Sequence, residues 1–211
     1  MFETLSFGDS CMPLSREDDQ NAAMVAIAPI LPLVNDILNG AVEFYFGENY
    51  TDAARAQHTA RAAANCIYSH AERLMLDAEG SRAGLHILDV RGLRVMNWRD
   101  QALLRFKKVD GNGRSSNYQT KQQQDYDDQL PIPDLPDPAV RLTAGYELAP
   151  AGVGLNRVII SRRVGQGMFW SSQVIFLENE ANWVDITPQR FAGMGDSDFN
   201  AARARRARSG R

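Results

Sequence analysis

The stretch 85–109, LHILDVRGLRVMNWRDQALLRFKKV, points to the fold class because its apolar residues follow the period of β-strands. Three short runs, 85–90, 93–98 and 102–109, are separated by the pairs Arg91-Gly92 and Arg99-Asp100. Connections of two residues are typical of β-hairpins. The stretch therefore predicts an antiparallel meander that begins just after Gly80.

The residues before this meander follow the 3.6-residue period of helices. Ser15, which stands before a run of acidic residues, is predicted to cap the first helix. Pro29 and Pro32 predict a kink or a restart in that helix. Thr51 is predicted to cap a further helix, in which alanines form a stripe over 53–74. The predicted helical part is 15–79.

The residues after the meander return to strands. Thr120 and Gln123 fit a capping box for a short helix that ends near Gln129. Four prolines in 131–139 then predict an extended connector, which leads to strands at 141–148, 156–164 and 168–177 and to a last strand near Trp183. We predict one α+β domain, 1–187, with helices packed on a mainly antiparallel sheet formed by 85–187.

Composition restricts the kind of partner. The 211 residues carry a formal net charge of −3 at pH 7, so overall basicity does not favour nucleic acid or a membrane. Two cysteines and no signal-peptide pattern predict a cytoplasmic protein with reduced thiols. Pro29 and Pro32 interrupt the most apolar stretch, so no membrane-spanning helix is predicted. Five arginines without an acid in 203–211 predict that 188–211 is a mobile basic tail.

All three lysines of the chain lie within 102–121, whereas the other 20 of its 23 basic residues are arginines. Side chains alternate between the two faces of a strand. Arg105 and Lys107 of the third run are therefore predicted to share one face, and Lys108 the other. The glycine turn 110–113 and the start of the short helix follow. The candidate binding residues are Arg105, Lys107, Lys108, Arg114, Asn117, Tyr118 and Lys121. Together they predict a site for anionic groups of a partner.

Two other interpretations of this region stay open. In the first, Arg105 and Lys107 are ordinary exposed strand residues that pair with acidic residues in 125–128. In the second, Gln119-Thr120-Lys121 and an acid such as Asp89 or Asp100 form a metal-dependent nuclease site. The capping signal opposes the second interpretation, because it places Gln119 and Lys121 across a helix start and not along a strand.

No metal or cofactor is predicted. Cys66 and His70 are four residues apart on one helix face, and His58 precedes them, but a fourth zinc ligand at a familiar spacing is missing. The turn 110–113 is similar to the start of a calcium loop, yet Arg114 follows it and no acid stands at the twelfth position. Phosphate-loop and dinucleotide fingerprints are missing as well.

Several motifs together resemble a family of uncharacterised bacterial proteins. The motifs are Phe106-Lys107-Lys108, Ser116-Asn117-Tyr118, Thr120-Lys121-Gln122, the proline connector, 141–146 (RLTAGY) and a distal Trp, within about 85–186. Members of that family are often encoded beside an ImmA/IrrE-type zinc peptidase and a helix-turn-helix repressor, in prophage or defence-like loci. This chain lacks the His-Glu-x-x-His motif of the peptidase itself.

The resemblance implies a non-catalytic binding or regulatory protein of a bacterial defence or toxin–antitoxin-like system. Its expected partner is a protein, such as the product of an adjacent gene. The alternative is a nucleic-acid-binding protein or a metal-dependent nuclease that uses the basic region 102–121 or the arginine-rich tail.

Overall fold

The computed structural model of the chain describes residues 14–47, 49–115, 120–137, 139–150, 154–165, 167–177 and 180–188. The N-terminal arm, the basic tail beyond residue 188, and Asn117 and Tyr118 lie outside the described residues. The helices are α1 (Arg16–Ile27), α2 (Leu31–Phe46), α3 (Asp52–Ala56), α4 (Ala60–Asp77) and α5 (Lys121–Asp127). The strands are β1 (Leu85–Val90), β2 (Leu93–Trp98), β3 (Ala102–Lys108), β4 (Val140–Leu148), β5 (Leu155–Val164), β6 (Gly167–Leu177) and β7 (Glu180–Asp185).

The helix starts follow their capping residues. The Ser15 side chain accepts a hydrogen bond from the N–H of Asp18, and a 3-10 turn, Ala28–Ile30, separates α1 from α2 at the predicted proline position. The single long helix predicted after Thr51 is wrong, because Thr59 caps a second helix there. The Thr59 side chain accepts from the N–H of Ala62, and its extended backbone (ψ 160°) interrupts the helical path between α3 and α4.

The seven strands form one sheet in chain order, β1 to β7. Neighbouring strands are antiparallel except β3 and β4, which are parallel and are connected through α5. The predicted α+β class with a mainly antiparallel sheet is therefore confirmed. The parallel pair is an addition to the predicted meander, and it places α5 against the sheet as a crossover helix.

Helices cover both faces of the sheet. Met24, Leu38 and Ile67 from α1, α2 and α4 are fully buried in the larger core, together with Leu104 and Ile160 of the sheet. A smaller core lies under α5, where Tyr126 packs with Val95 and Leu103. The Tyr126 hydroxyl oxygen lies 2.7 Å from the carbonyl oxygen of Leu103 and 2.9 Å from that of Leu142. This hydroxyl thus contacts both strands of the parallel pair.

The stretch Arg16–Phe46 is long and apolar enough, by length and composition alone, to cross a membrane. Several of its apolar side chains, among them Ile27, Ile30 and Leu31, are fully buried in the domain, whereas Val25 and Phe44 are exposed. Buried core helices satisfy the same length and composition test. Helix α1, the 3-10 turn and α2 contribute these buried side chains to the larger core.

The pairing between β2 and β3 is short, and this creates a gap. The two strands pair only from Met96↔Leu104 to Trp98↔Ala102, whereas β2 pairs with β1 along its whole length. Beyond Leu104, β3 has its other neighbour β4 but no paired partner on the β2 side. The tip of the β1–β2 hairpin and the last residues of β3 therefore diverge, and a cavity lies between them.

Candidate anion-binding site

The cavity between the β1–β2 hairpin and the end of β3 has a volume of about 230 Å³. Helix α4 and the start of α5 complete its walls. Its polar lining includes Tyr68, Arg91, Arg94, Arg105, Lys107 and Gln122. We call it the cationic cavity, because four of these six side chains are basic.

Arg105 is the most buried of the four cations, at 3% exposure. Its Nε donates to Thr143 Oγ1 at 3.1 Å and its Nη2 to Asp127 Oδ1 at 2.6 Å, while the guanidinium lies 4.8 Å from the Tyr126 ring centroid. The remaining nitrogen, Nη1, has no hydrogen-bond partner among the described residues. Arg105 is thus not an exposed strand residue as alternation alone suggested, because α5 covers this face of β3.

Lys107 lies on the same face of β3, two residues further along, and is half-buried. Its Nζ lies 5.4 Å from the centre of the Tyr68 ring, within the range of a cation–π contact. Among the described residues, no carboxylate oxygen lies within 4.0 Å of this ammonium. Burial, and secondarily the positive charge of Arg105, lower the pKa of Lys107 below its usual 10.5. The negative charges of Glu72 and Asp127 oppose this lowering of the pKa but do not cancel it.

The hairpin supplies the other two cations. Arg94 lies 2.7 Å from Asp89 and 3.4 Å from Glu72, so it is already neutralised by two carboxylates. Arg91 stands at the hairpin tip with φ 54°, is exposed, and has no ion pair among the described residues. Burial, followed by a hydrogen bond with Glu72, raises the pKa of Tyr68, so its hydroxyl stays protonated at neutral pH.

Two contacts hold α5 against this site. Gln122 Nε2 donates to the carbonyl oxygen of Val90 at 2.8 Å, which ties the start of α5 to the hairpin. Asp127, near the end of α5, accepts from Arg105 and lies 3.7 Å from Arg163. Burial raises the pKa of the Asp127 carboxyl, while the two guanidiniums oppose that rise. The crossover helix therefore fixes both the wall and the floor of the cavity.

Three of the other predicted site residues do not line the cavity. Lys108 is exposed on the opposite face of β3, and Lys121 is 88% exposed with its Nζ 3.4 Å from Asp125. Arg114 is half-buried after the glycine turn, where its backbone N–H donates to Asp110 Oδ1 at 2.9 Å. Asn117 and Tyr118 lie outside the described residues. Of the seven candidates, the structure brings Arg105 and Lys107 together in the cationic cavity.

Sequence reasoning did not identify Tyr68, Arg91 or Arg94 as site residues. Arg91 was recognised only as half of the turn between the first two strands. Tyr68 gave no such signal, because its position depends on how α4 packs on the sheet. The cavity depends on a gap between strands, which the hydrophobic pattern does not encode.

The two histidines considered for zinc binding contact aromatic side chains. His58 Nδ1 lies 2.9 Å from the Tyr45 hydroxyl, and the His70 ring lies 3.6 Å from that of Phe44. In the described part of the chain, no group of three His, Cys, Asp or Glu side chains is placed to hold a metal ion. Asp89 pairs with Arg94, and Lys121 pairs with Asp125, so the proposed nuclease residues have other partners.

Comparisons of this chain with protein-family models, with curated proteins and with solved structures find no match.

Proposed function

We propose that this protein is a non-catalytic binding protein and that its cationic cavity accepts one anionic group of a protein partner. One observation carries the proposal. Both Arg105 and Lys107 line this cavity; among the described residues, Arg105 Nη1 is buried without a hydrogen-bond partner, and no carboxylate oxygen lies within 4.0 Å of the Lys107 ammonium. Groups of this kind are costly to bury and gain most from an added anion.

The energetic reason is the strength of charge-assisted hydrogen bonds. Such bonds contribute about 1.5–3 kcal/mol each, roughly twice as much as neutral ones. An anion that contacts both Arg105 Nη1 and Lys107 Nζ would satisfy a donor that the fold leaves free and would counter the repulsion between the two cations. The domain retains both cations although burial disfavours them, which supports a role in binding.

A single anionic group fits the surroundings better than a nucleic-acid strand does. Acidic side chains stand beside the cavity, because Glu72 and Asp89 lie next to the lining residue Arg94. A strand with a phosphate at every nucleotide needs a continuous basic track, and these carboxylates would repel it. The volume of about 230 Å³ is also below the ~300–1,000 Å³ typical of larger ligands.

The likeness of 85–186 to proteins of defence-like loci supports a partner encoded nearby. The proposal is tested by purifying this protein with the products of its adjacent genes and measuring binding by titration calorimetry at several salt concentrations. Lys107→Gln should weaken binding at least about tenfold, the value of one charge-assisted contact. Lys108→Gln is the matched control, because this neighbouring lysine faces the other side of β3. Equal effects of the two substitutions would refute the proposal.

A further inference from the structure

We propose that the anionic group is a phosphoryl dianion, carried as a phosphate monoester on a side chain of the partner. This inference rests on the proposed function and specifies its ligand class. It follows from the charges, the hydrogen-bond donors and the size of the cationic cavity.

Two of the four cations that line the cavity are not paired with a carboxylate of any described residue. Arg94 is paired with Asp89 and Glu72, and Arg105 is paired with Asp127. Arg91 and Lys107 have no carboxylate within ion-pair distance among the described residues. A carboxylate would neutralise one of these two cations, whereas a phosphate dianion neutralises both.

The acids near the cavity do not occupy this role. Glu72 lies 3.4 Å from Arg94, Asp89 lies 2.7 Å from Arg94, and Asp127 lies 2.6 Å from Arg105. Each carboxylate therefore already has an arginine partner. The cavity presents cations, and not acids, to a ligand.

The free donors outnumber the oxygens of a carboxylate. Lys107 offers up to three N–H groups and Arg91 offers its guanidinium fork, and the guanidinium of Arg105 belongs to a third residue that lines the cavity. A phosphate monoester has three terminal oxygens, each a strong acceptor, and it matches guanidinium geometry well. A carboxylate has two oxygens in one plane, so part of this donor set would stay unused.

The size of the cavity agrees with a phosphoryl group. A volume of about 230 Å³ corresponds to roughly eight water molecules at ~30 Å³ each. This is sufficient for a phosphate and the side-chain atoms that carry it. A whole nucleotide would have to leave its base and sugar outside.

Short Gly/Ser peptides with one central phosphoserine, glutamate or serine test the inference by fluorescence anisotropy. The phosphoserine peptide should bind at least about tenfold more tightly than the glutamate peptide, and the serine peptide should bind most weakly. Inorganic phosphate should compete with the phosphopeptide. If an oligonucleotide with a 5′-phosphate binds more tightly than the phosphopeptide, the inference that a protein partner carries the phosphate is wrong.

The dependence of peptide affinity on pH is an independent test of a phosphate ligand. The second pKa of a phosphate monoester is about 6, so binding should strengthen about tenfold between pH 5 and pH 7. The glutamate peptide should change little, since a free glutamate has a pKa of about 4.3. The charged or titratable groups that face the ligand are Tyr68, Arg91, Arg94, Arg105 and Lys107, with Glu72, Asp89 and Asp127 behind them. A histidine is not among them.

Three substitutions locate the site. Lys107→Gln and Arg91→Gln should each weaken phosphopeptide binding about tenfold or more, and Lys108→Gln should leave it unchanged. Arg91 is exposed, so its replacement does not endanger the fold. If the glutamate peptide binds as well as the phosphopeptide, both without pH dependence and both through Lys107, the phosphoryl inference fails and the proposed function stands. If no peptide binding depends on Lys107, both fail.

Discussion

Arg105 Nη2 lies 2.6 Å from Asp127 Oδ1, and both side chains are only 4% exposed. This buried ion pair connects β3 with α5, the crossover helix between the two parallel strands. It fixes the guanidinium that forms the floor of the cationic cavity, and it leaves Nη1 as the nitrogen without a protein partner. The pair therefore belongs both to the fold and to the site.

Removal of one partner of this pair should destabilise the domain strongly. In Asp127→Ala the Arg105 charge stays buried without its main counter-ion, and we expect a loss of about 3–5 kcal/mol in the free energy of unfolding. Urea unfolding followed by circular dichroism measures the loss. Asp125→Ala on the same helix is the matched control, because its partner Lys121 is 88% exposed and such surface pairs contribute about 0–1 kcal/mol. Equal losses in the two variants would show that the buried Arg105–Asp127 pair stabilises the domain no more than the surface pair does.

The glycine turn after β3 is held closely against the sheet. Gly113 has φ +79°, and a Cβ there would lie 3.1 Å from Ile159 Cγ2 and 3.2 Å from Ser161 Cβ. We expect Gly113→Ala to cost more than the roughly 1–2 kcal/mol of left-handed strain alone. Gly80→Ala separates the two effects, since Gly80 has φ +72° but no atom within 4 Å of its added Cβ. A larger loss of melting temperature in Gly80→Ala than in Gly113→Ala would contradict this packing.

Much of the fold could be predicted because its signals are local. Arg91-Gly92 was identified as a hairpin turn, and both residues have the positive φ values (54° and 81°) that such turns require. Ser15 and Thr120 cap helices as predicted. The break at Thr59 was missed, because the alanine stripe continues across it in sequence and only the cap interrupts it.

The parts that could not be predicted depend on contacts distant in sequence. The parallel pairing of β3 and β4 depends on where the connector 131–139 returns, and prolines set its extension but not its direction. The burial of Arg105 depends on Asp127, which lies 22 residues later in the chain. For the same reason, the pattern of the third strand identified Lys107 as a candidate but not the cavity around it.

Asp185 should make stability depend on pH. Burial alone would raise its pKa, but hydrogen bonds from Thr187, Arg16 and Gln20 outweigh this and lower the pKa below the usual 3.8. A depressed folded-state pKa stabilises the fold above the unfolded-state value and loses that contribution as pH falls through the folded-state value. We therefore expect the stability difference between the wild type and Asp185→Asn to be largest near pH 6 and to shrink below about pH 4.

Chemical unfolding at pH 6 and pH 3.5 measures this difference. Asp77→Asn serves as the control, because Asp77 is 65% exposed and lies 3.8 Å from Arg73. That substitution should change stability by less than about 0.5 kcal/mol at either pH. A difference for Asp185→Asn that grows on acidification would mean that Asp185 does not hold α1 to β7 in its charged form.

The most direct test of anion binding uses the fact that the chain has only three lysines, Lys107, Lys108 and Lys121. In protein labelled with 13C at the lysine ε-carbons, one spectrum follows all three side chains through a pH titration. The free protein should show Lys107 with a pKa below 10.5, as burial and Arg105 require. Added phosphate should raise that pKa, because an anion in the cationic cavity stabilises the charged ammonium. If phosphate leaves the pKa of Lys107 unchanged and changes that of Lys108 or Lys121 instead, this cavity is not the binding site.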